Sequence, residues 1–392
     1  MPALNSGACC KKYGLIMTEK KTLKKIAIVT PYYYPLAGGV QEYVYHLKKE
    51  YKKIGYFVKV ITADFGGPSF DEQDVIRMGK GFPVLINGST GRVILFHKKN
   101  MIKQVLDKYN FDILHFQEPF VPFLSHEIIK HSHSKNVATF HANFNSNLFY
   151  RLSRGYLNPL WKKLHGRIAV SASARRSILK YFSGDVEIIP NGVSINRFNP
   201  KNKKLKAFND GKINILFVGR IEKRKGLIYL LKAYKKLSSR HHNLRLIIVG
   251  RGPLLKQYIK FAEKNRLREV YFEGFVPVDD LPRYYSTSSI FCSPAIFGES
   301  FGIVLLEAMA SGTPVVAFNI PGYNDVVADK SDGLLAKPRD VNDLYEKLDL
   351  LVTDKILRKK ISANGISKAR NFTWEKVSKL NIQYYKKILG IK

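Results

Sequence analysis

Short apolar runs alternate with amphipathic segments along nearly the whole chain, and the alternation starts afresh in the second half. KIAIVT (residues 25–30) leads into a Pro/Gly-rich loop, PYYYPLAGGV, then a helical pattern over 41–53 and a second β-rich run over 57–62. Further runs follow at 113–116, 137–140, 166–171 and 186–190, with helical patterns at 152–164 and 174–181 between them. Strands joined through helices pair in parallel, because each crossover helix lies on a face of the sheet. The pattern therefore predicts a doubly wound α/β layer.

Residues 197–211 lack apolar periodicity and are rich in Asn and Lys, so they read as a linker. Beyond them the runs resume at 213–219, 244–250, 270–274, 290–293 and 315–318, with helices at 227–237 and 254–264. The expected organisation is a disordered leader over 1–22, an N-terminal domain over 23–196, the linker, and a C-terminal domain over 212–373. An amphipathic helix over 374–392 is expected to pack back on the first domain. Ligands of such sheets bind beyond the carboxyl ends of the strands. Two domains of this kind facing each other enclose a cleft.

At 392 residues the chain is long enough for two full-sized cores. Its three cysteines, two of them adjacent, make no disulfide framework and point to a reducing, cytoplasmic compartment. No apolar run approaches the roughly 20 residues of a membrane span. The first 22 residues are polar and basic, unlike a secretory signal, and Met17 is an alternative start. The formal net charge of +34 divides almost evenly, +16 over residues 1–200 and +18 over the rest. Such a field suits anionic lipid, phosphorylated small molecules or nucleic acid, or it serves only solubility. With no nucleic-acid module or basic–aromatic platform in the sequence, no nucleic-acid partner is expected.

Glu299 and Glu307 stand eight positions apart in GESFGIVLLEAMASG, with Gly298 and Gly302 around the first. A helix starting near Gly302 would point unpaired N–H groups at the loop carrying Glu299, and such a terminus attracts anions. Glu307 would follow at the second turn. Two carboxylates flanking an anion site suit a sugar nucleotide, whose hydroxyls lie on either side of its phosphates; two solvated acids are the simpler alternative.

Gly38-Gly39 precedes a helix and lets backbone approach a ligand. Arg220 and Lys225 in GRIEKRKG follow a strand, where they could neutralise a diphosphate leaving group without a metal. Their neighbours Glu222, Lys223 and Arg224 allow a solvated-loop reading instead. His141 closes the strand VATFHA and is placed either to face a sugar or to pack structurally. Asp279-Asp280 lacks a third ligand nearby, so no metal and no cofactor is expected.

Jointly these segments resemble the retaining glycosyltransferases of family 4, which share an E-x7-E motif and the GT-B fold of two Rossmann-like domains with the active site in the cleft between them. GGVQ (38–41), VATFHA (137–142), IIPNGV (188–193), VGRIEKRKG (218–226), VGRGP (249–253) and GESFGIVLLEAMASGTPVV (298–316) carry the likeness. Within the family the chain is most similar to phosphatidylinositol mannosyltransferases, through PYxxxxxGGVQ, NGS (87–89), DILHFQEP (112–119) and VDD (278–280).

The resemblance implies a nucleotide-sugar donor, GDP-mannose first among them. Gly39, Arg220 and Lys225 would meet its diphosphate, and Glu299, Phe301, Gly302, Ile303 and Val304 would meet the sugar and its phosphate. Glu307 would hold the ribose, Val278 the base, and His141 would face the transferred sugar. Tyr32, Gln41, Asn87 and Arg92 match acceptor-side positions for an inositol lipid or related glycan. A segment like 97–109, with Lys98, Lys99 and Lys103, forms a basic interfacial helix in those enzymes, which implies peripheral attachment to an anionic membrane surface. The chain departs from them in Ala142, where they usually carry a threonine, and in a shorter stretch between Asp280 and Glu299. The same chemistry on a soluble sugar or a polyprenyl-linked glycan is the alternative, and a non-catalytic polyanion-binding protein the remote one.

Overall fold

Eight strands form the first sheet of the computed structural model, which describes residues 22–35, 38–64, 66, 72–86, 89–95, 99–144 and 146–391. They are β1 (Lys25–Val29), β2 (Phe57–Asp64), β3 (Val75–Ile86), β4 (Ser89–Leu95), β5 (Ile113–Gln117), β6 (Lys135–Phe140), β7 (Gly166–Ala169) and β8 (Glu187–Ile188), in spatial order β4-β3-β2-β1-β5-β6-β7-β8. The second sheet holds β9 (Ile213–Val218), β10 (Leu244–Val249), β11 (Val270–Gly274), β12 (Ile290–Ser293), β13 (Val315–Phe318) and β14 (Leu334–Ala336), in order β11-β10-β9-β12-β13-β14. Every pairing among these strands is parallel except β3 with β4. The apolar runs are buried from both sides: β5, β10, β12 and β13 are buried at every residue.

Helices flank the sheets: α1 (Gly39–Ile54), α2 (Lys99–Tyr109), α3 (Leu124–His131), α4 (Leu148–Leu152), α5 (Arg154–Lys162) and α6 (Ala172–Leu179) with the first, and α7 (Leu227–Arg240), α8 (Leu255–Lys264), α9 (Leu281–Thr287), α10 (Ile303–Ala310), α11 (Val341–Thr353) and α12 (Lys355–Ala369) with the second, the last two following its final strand. The chain reverses its winding beside β1 and beside β9, which lie between β2 and β5 and between β10 and β12. Those are the topological switch points where open α/β sheets leave a crevice. The loops carrying Gly38-Gly39 and Arg220–Lys225 leave the carboxyl ends of these two strands.

The sequence reading missed β14 at the edge of the second sheet, and two elements of the first domain differ from it. The β3–β4 hairpin adds an antiparallel edge that the alternation did not predict. Gly79, Gly81 and Pro83 interrupt the apolar pattern there, and Pro83 is accommodated because only β4 pairs with β3 over Gly81–Ile86. The helix predicted over 152–164 is instead two helices broken at Ser153, with α4 capped by the Asn147 side chain on the Tyr150 N–H. Much of the α4 surface faces outward, so burial gave its sequence no apolar stripe to read.

The last helix, α13 (Trp374–Leu389), leaves the second sheet and packs on α1. Val377, Ile382, Tyr385 and Leu389 join Ile26, Ile28, Tyr43 and Leu47 in one core cluster. Tyr385 is fully buried, and its hydroxyl bonds His115 Nδ1 at 2.6 Å and the Tyr51 hydroxyl at 2.9 Å, so its polar end is satisfied inside the core. Trp374 lies flat over Gly192, where any Cβ would fall 2.4 Å from the indole. Gly192→Val is therefore expected to cost about 3 kcal/mol by overpacking. A thermal melt no lower than that of the unsubstituted protein would refute this packing account.

Candidate active site

The carboxylate of Glu299 gathers the cations of the second switch-point loop. Residues Lys223–Lys225 form one 3-10 turn after Glu222, which turns both Arg224 and Lys225 toward the 298–302 loop. Arg224 Nη1 and Lys225 Nζ each approach Glu299 Oε1 at 2.7 Å, and Glu299 is only 8% exposed. Charge-assisted bonds of this length fix an acid far better than a surface ion pair does. Arg224 had the look of a solvated loop residue; nothing local in the sequence separates it from Lys223. Arg220 stands nearby with its side chain about half exposed and its Nε 3.8 Å from Glu222 Oε2.

Helix α10 begins at Ile303 directly behind this cluster. Gly302 has φ 82°, and a Cβ there would lie 2.8 Å from the Tyr323 ring, so only glycine fits the turn. No side chain caps the helix, which leaves its first N–H groups open to an anion. Phe301 is buried with its ring edge against Phe372, while Ile303 and Val304 are half-buried. One turn further in, Glu307 accepts the Tyr285 hydroxyl at 2.8 Å, and burial pushes its carboxyl up to about 7. The Tyr285 bond and the nearby Arg197 guanidinium oppose that rise.

The first domain closes the other side. Gly39 opens α1 and faces Ile303, whose Cδ1 would lie 3.7 Å from a Cβ placed on the glycine. Its backbone thus meets the α10 terminus across the cleft. Asn143 Nδ2 donates to the Glu299 carbonyl at 2.8 Å, and Asp325 accepts the Ser173 N–H at 3.0 Å. Arg197 donates to the Val278 carbonyl and reaches within 3.9 Å of Glu42 on α1. Asn143, Arg197 and Tyr285 escaped the sequence reading because their partners are distant along the chain.

His141 is half-buried at the carboxyl end of β6. Its backbone N–H bonds Glu118 Oε1 at 2.6 Å, its Nε2 lies 2.8 Å from Gln117 Oε1, and the Tyr43 ring meets it edge-on. Burial drives its pKa down to about 3, so the ring is neutral at physiological pH. Because Gln117 Oε1 only accepts, Nε2 carries the proton. Glu118, also raised by burial to about 7, holds the His141 and Ala142 backbone from a left-handed conformation at φ 48°.

On the acceptor side, Tyr32 is half-buried, with its N–H 3.2 Å from Thr30 Oγ1, and Gln41 is buried with its amide folded over Gly38. Arg92 sits on β4 opposite Pro83. Asn87 lies outside the described residues, as do Lys98 and the leader up to residue 21. The site therefore brings together Gly39, Lys225, Glu299, Gly302 and Ile303, with Glu307 one turn deeper and Arg220 at the rim. Val278 is exposed, and its carbonyl accepts the guanidinium of the linker residue Arg197. Among the described residues no His/Cys/Asp/Glu cluster could hold a metal ion, and no helix is long and apolar enough to cross a membrane.

Comparison with known proteins matches residues 37–197 to the family described as Glycosyltransferase Family 4 and residues 198–368 to Glycosyl transferases group 1. The chain is 32% identical over 368 residues to a phosphatidyl-myo-inositol mannosyltransferase of Mycobacterium leprae, covering 93% of this chain and 97% of that protein. It is 33% identical over 373 residues to the protein of the same name from Mycolicibacterium smegmatis, covering 93% and 94%. A glycosyltransferase from Rickettsia africae superposes with a TM-score of 0.76 at 22% identity, covering 93% of this chain and 99% of that one. The two sheets and the cleft are the GT-B fold.

Proposed function

The chain belongs to the family 4 glycosyltransferases, and on that footing we propose that it moves a hexose, mannose from GDP-mannose, to a hydroxyl of an inositol phospholipid with retention of configuration. The observation that carries the reading is the Glu299–Lys225–Arg224 cluster at the uncapped start of α10, facing Gly39 across the cleft. Mannose and the inositol lipid come from the names of relatives that are alike over more than nine-tenths of the chain, and GDP as the carrier from the motif resemblance.

In this reading the donor diphosphate lies between Gly39 and the α10 terminus. Arg220 and Lys225 stabilise the negative charge that grows on it as the C1–O bond to phosphate breaks. The acceptor oxygen bonds C1 on the same face, and its proton passes to the departing phosphate. Glu299 accepts bonds from the sugar hydroxyls, which fixes C1 for attack. The neutral His141 offers the sugar a polar edge without a charge that would repel a developing cation. Closure of the two domains excludes water and suppresses hydrolysis. No metal is needed for the charge balance, since two cations and a helix terminus supply it.

Labelled mannose should pass from GDP-mannose to phosphatidylinositol in mixed micelles. Transfer to a soluble sugar or a polyprenyl-linked glycan alone would keep the enzyme and replace the acceptor; turnover with no nucleotide sugar would refute the reading.

Glu307 makes a separate, titratable prediction. Ribose hydroxyls donate to the ionised carboxylate, so binding favours proton release from a group poised near 7. Affinity for the nucleotide is expected to weaken as pH falls, about tenfold between pH 8 and pH 6. Glu307→Gln should flatten that profile. A pH-independent dissociation constant in the unsubstituted protein would exclude the role.

A further inference from the structure

A patch of exposed apolar side chains sits beside the cleft mouth on the first domain. Phe123 is 40% exposed, Leu148 58%, Phe149 42%, Leu152 74% and Tyr156 53%. They are not scattered. Phe123, Phe149 and Tyr156 line one shallow cavity with Pro122, His126 and Glu127, and Leu148 and Leu152 continue it along α4. Isolated exposed hydrophobics need no explanation, but a contiguous group does.

The chain holds the patch outward at some cost. Phe123 has φ 79° and ψ −90°, a conformation that a bulky residue adopts only under constraint. Helix α4 keeps Tyr150 inward while its leucines and Phe149 face solvent. Basic residues surround this surface: Arg151, Arg154, Lys162 and Lys163 are exposed, and Lys130 Nζ stands 5.5 Å over the Tyr156 ring. Glu127 is the one acid between residues 119 and 165, and Lys130 pairs with it at 2.8 Å.

Apolar and aromatic side chains ringed by Arg and Lys are the composition of a surface that lies in the interface of an anionic bilayer. We propose that the α4–α5 face, with Phe123 at its rim, is the membrane-docking surface of this protein, and that its partner is an anionic lipid bilayer. Charge complementarity selects that partner. The position fits as well, because α4 follows directly on the 141–147 segment whose Asn143 bonds the Glu299 carbonyl. Docking there brings the cleft mouth to the lipid headgroups. The basic helix expected from the resemblance contributes beside it: α2 exposes Met101, Lys103 and Lys108, while its Ile102 and Leu106 are buried. Through α3, which packs on both α2 and α5, it adds charge to the same layer. The inference rests on the lipid-acceptor reading for its purpose, while its test needs neither donor nor acceptor.

The full chain should co-sediment with phosphatidylcholine vesicles containing phosphatidylglycerol, release in high salt, and leave vesicles of phosphatidylcholine alone. The Leu148→Asp/Leu152→Asp variant is expected to lose about tenfold or more in vesicle partitioning, with its thermal melt unchanged. Arg151→Glu/Arg154→Glu changes only exposed charges and should cut binding to anionic vesicles while reducing its salt dependence. Sedimentation of both variants like the parent protein would overturn the proposal. So would self-association of the parent in solution that the Asp variant abolishes, which would make the patch an interface between copies. If vesicle binding behaves as stated but phosphatidylinositol accepts no sugar, the acceptor reading falls and the docking surface stands.

Discussion

Glu299→Ala is expected to lower kcat/KM for sugar transfer by roughly a thousandfold or more. The carboxylate has two duties in the proposed reaction, and the substitution removes both. It accepts hydrogen bonds from the donor sugar, and it anchors Lys225 and Arg224, each 2.7 Å from Oε1. Without it Lys225 loses its carboxylate while Arg224 keeps Glu222 at 2.5 Å, so Lys225 swings away from where the diphosphate would lie. The loss of stability should be small, about 1–2 kcal/mol, because Arg224 stays partly exposed to water. Glu299→Gln keeps the shape and separates the roles, since a neutral amide still bonds sugar hydroxyls but holds the cations weakly. Steady-state kinetics beside a thermal melt decide the matter; activity within about tenfold of the parent would remove Glu299 from the chemistry.

Lys225→Ala should reduce kcat about a thousandfold while changing KM much less, because its charge counts most when the diphosphate departs. Its ammonium is well placed for that duty, being only 14% exposed and fixed by Glu299 rather than free in solution. Arg220→Ala is expected to have a smaller effect of about thirtyfold, since its side chain is half exposed and more screened. A rise in KM with kcat unchanged for Lys225→Ala would mean uniform binding instead of transition-state stabilisation.

The sequence announced the sheets more fully than the site. Parallel strands buried from both sides read as apolar runs, which makes most of β1, β2, β5–β7, β9, β10, β12 and β13 legible; the shorter apolar stretches of β8 and the half-exposed β11 are legible as well, and β14 is not. The β3–β4 hairpin is not, because Gly79, Gly81 and Pro83 break its alternation and one side of it has no further strand to cover it. The glycines and charged residues of the cleft stand out in the same way, as short motifs at strand ends. Which partner each would find does not. Arg224 turns inward because the 3-10 turn before Gly226 tightens the loop. Asn143 and Arg197 reach across the cleft, contacts 156 and 81 residues apart in the chain. Local pattern carries no trace of them, since tertiary closure creates them. The exposed face of α4 was hidden for the opposite reason: a helix that buries little shows no amphipathic period to find.

In the proposed reaction the α10 terminus, Lys225 and Glu299 form one nucleotide-sugar site. A thermal-shift panel of nucleotide sugars tests it most directly. GDP-mannose, or another nucleotide hexose, at about 100 times its dissociation constant should add roughly 2.7 kcal/mol of stability, and Glu299→Ala should remove most of that gain. If no nucleotide sugar stabilises the parent protein, or the gain survives in Glu299→Ala, the cleft is not the donor site.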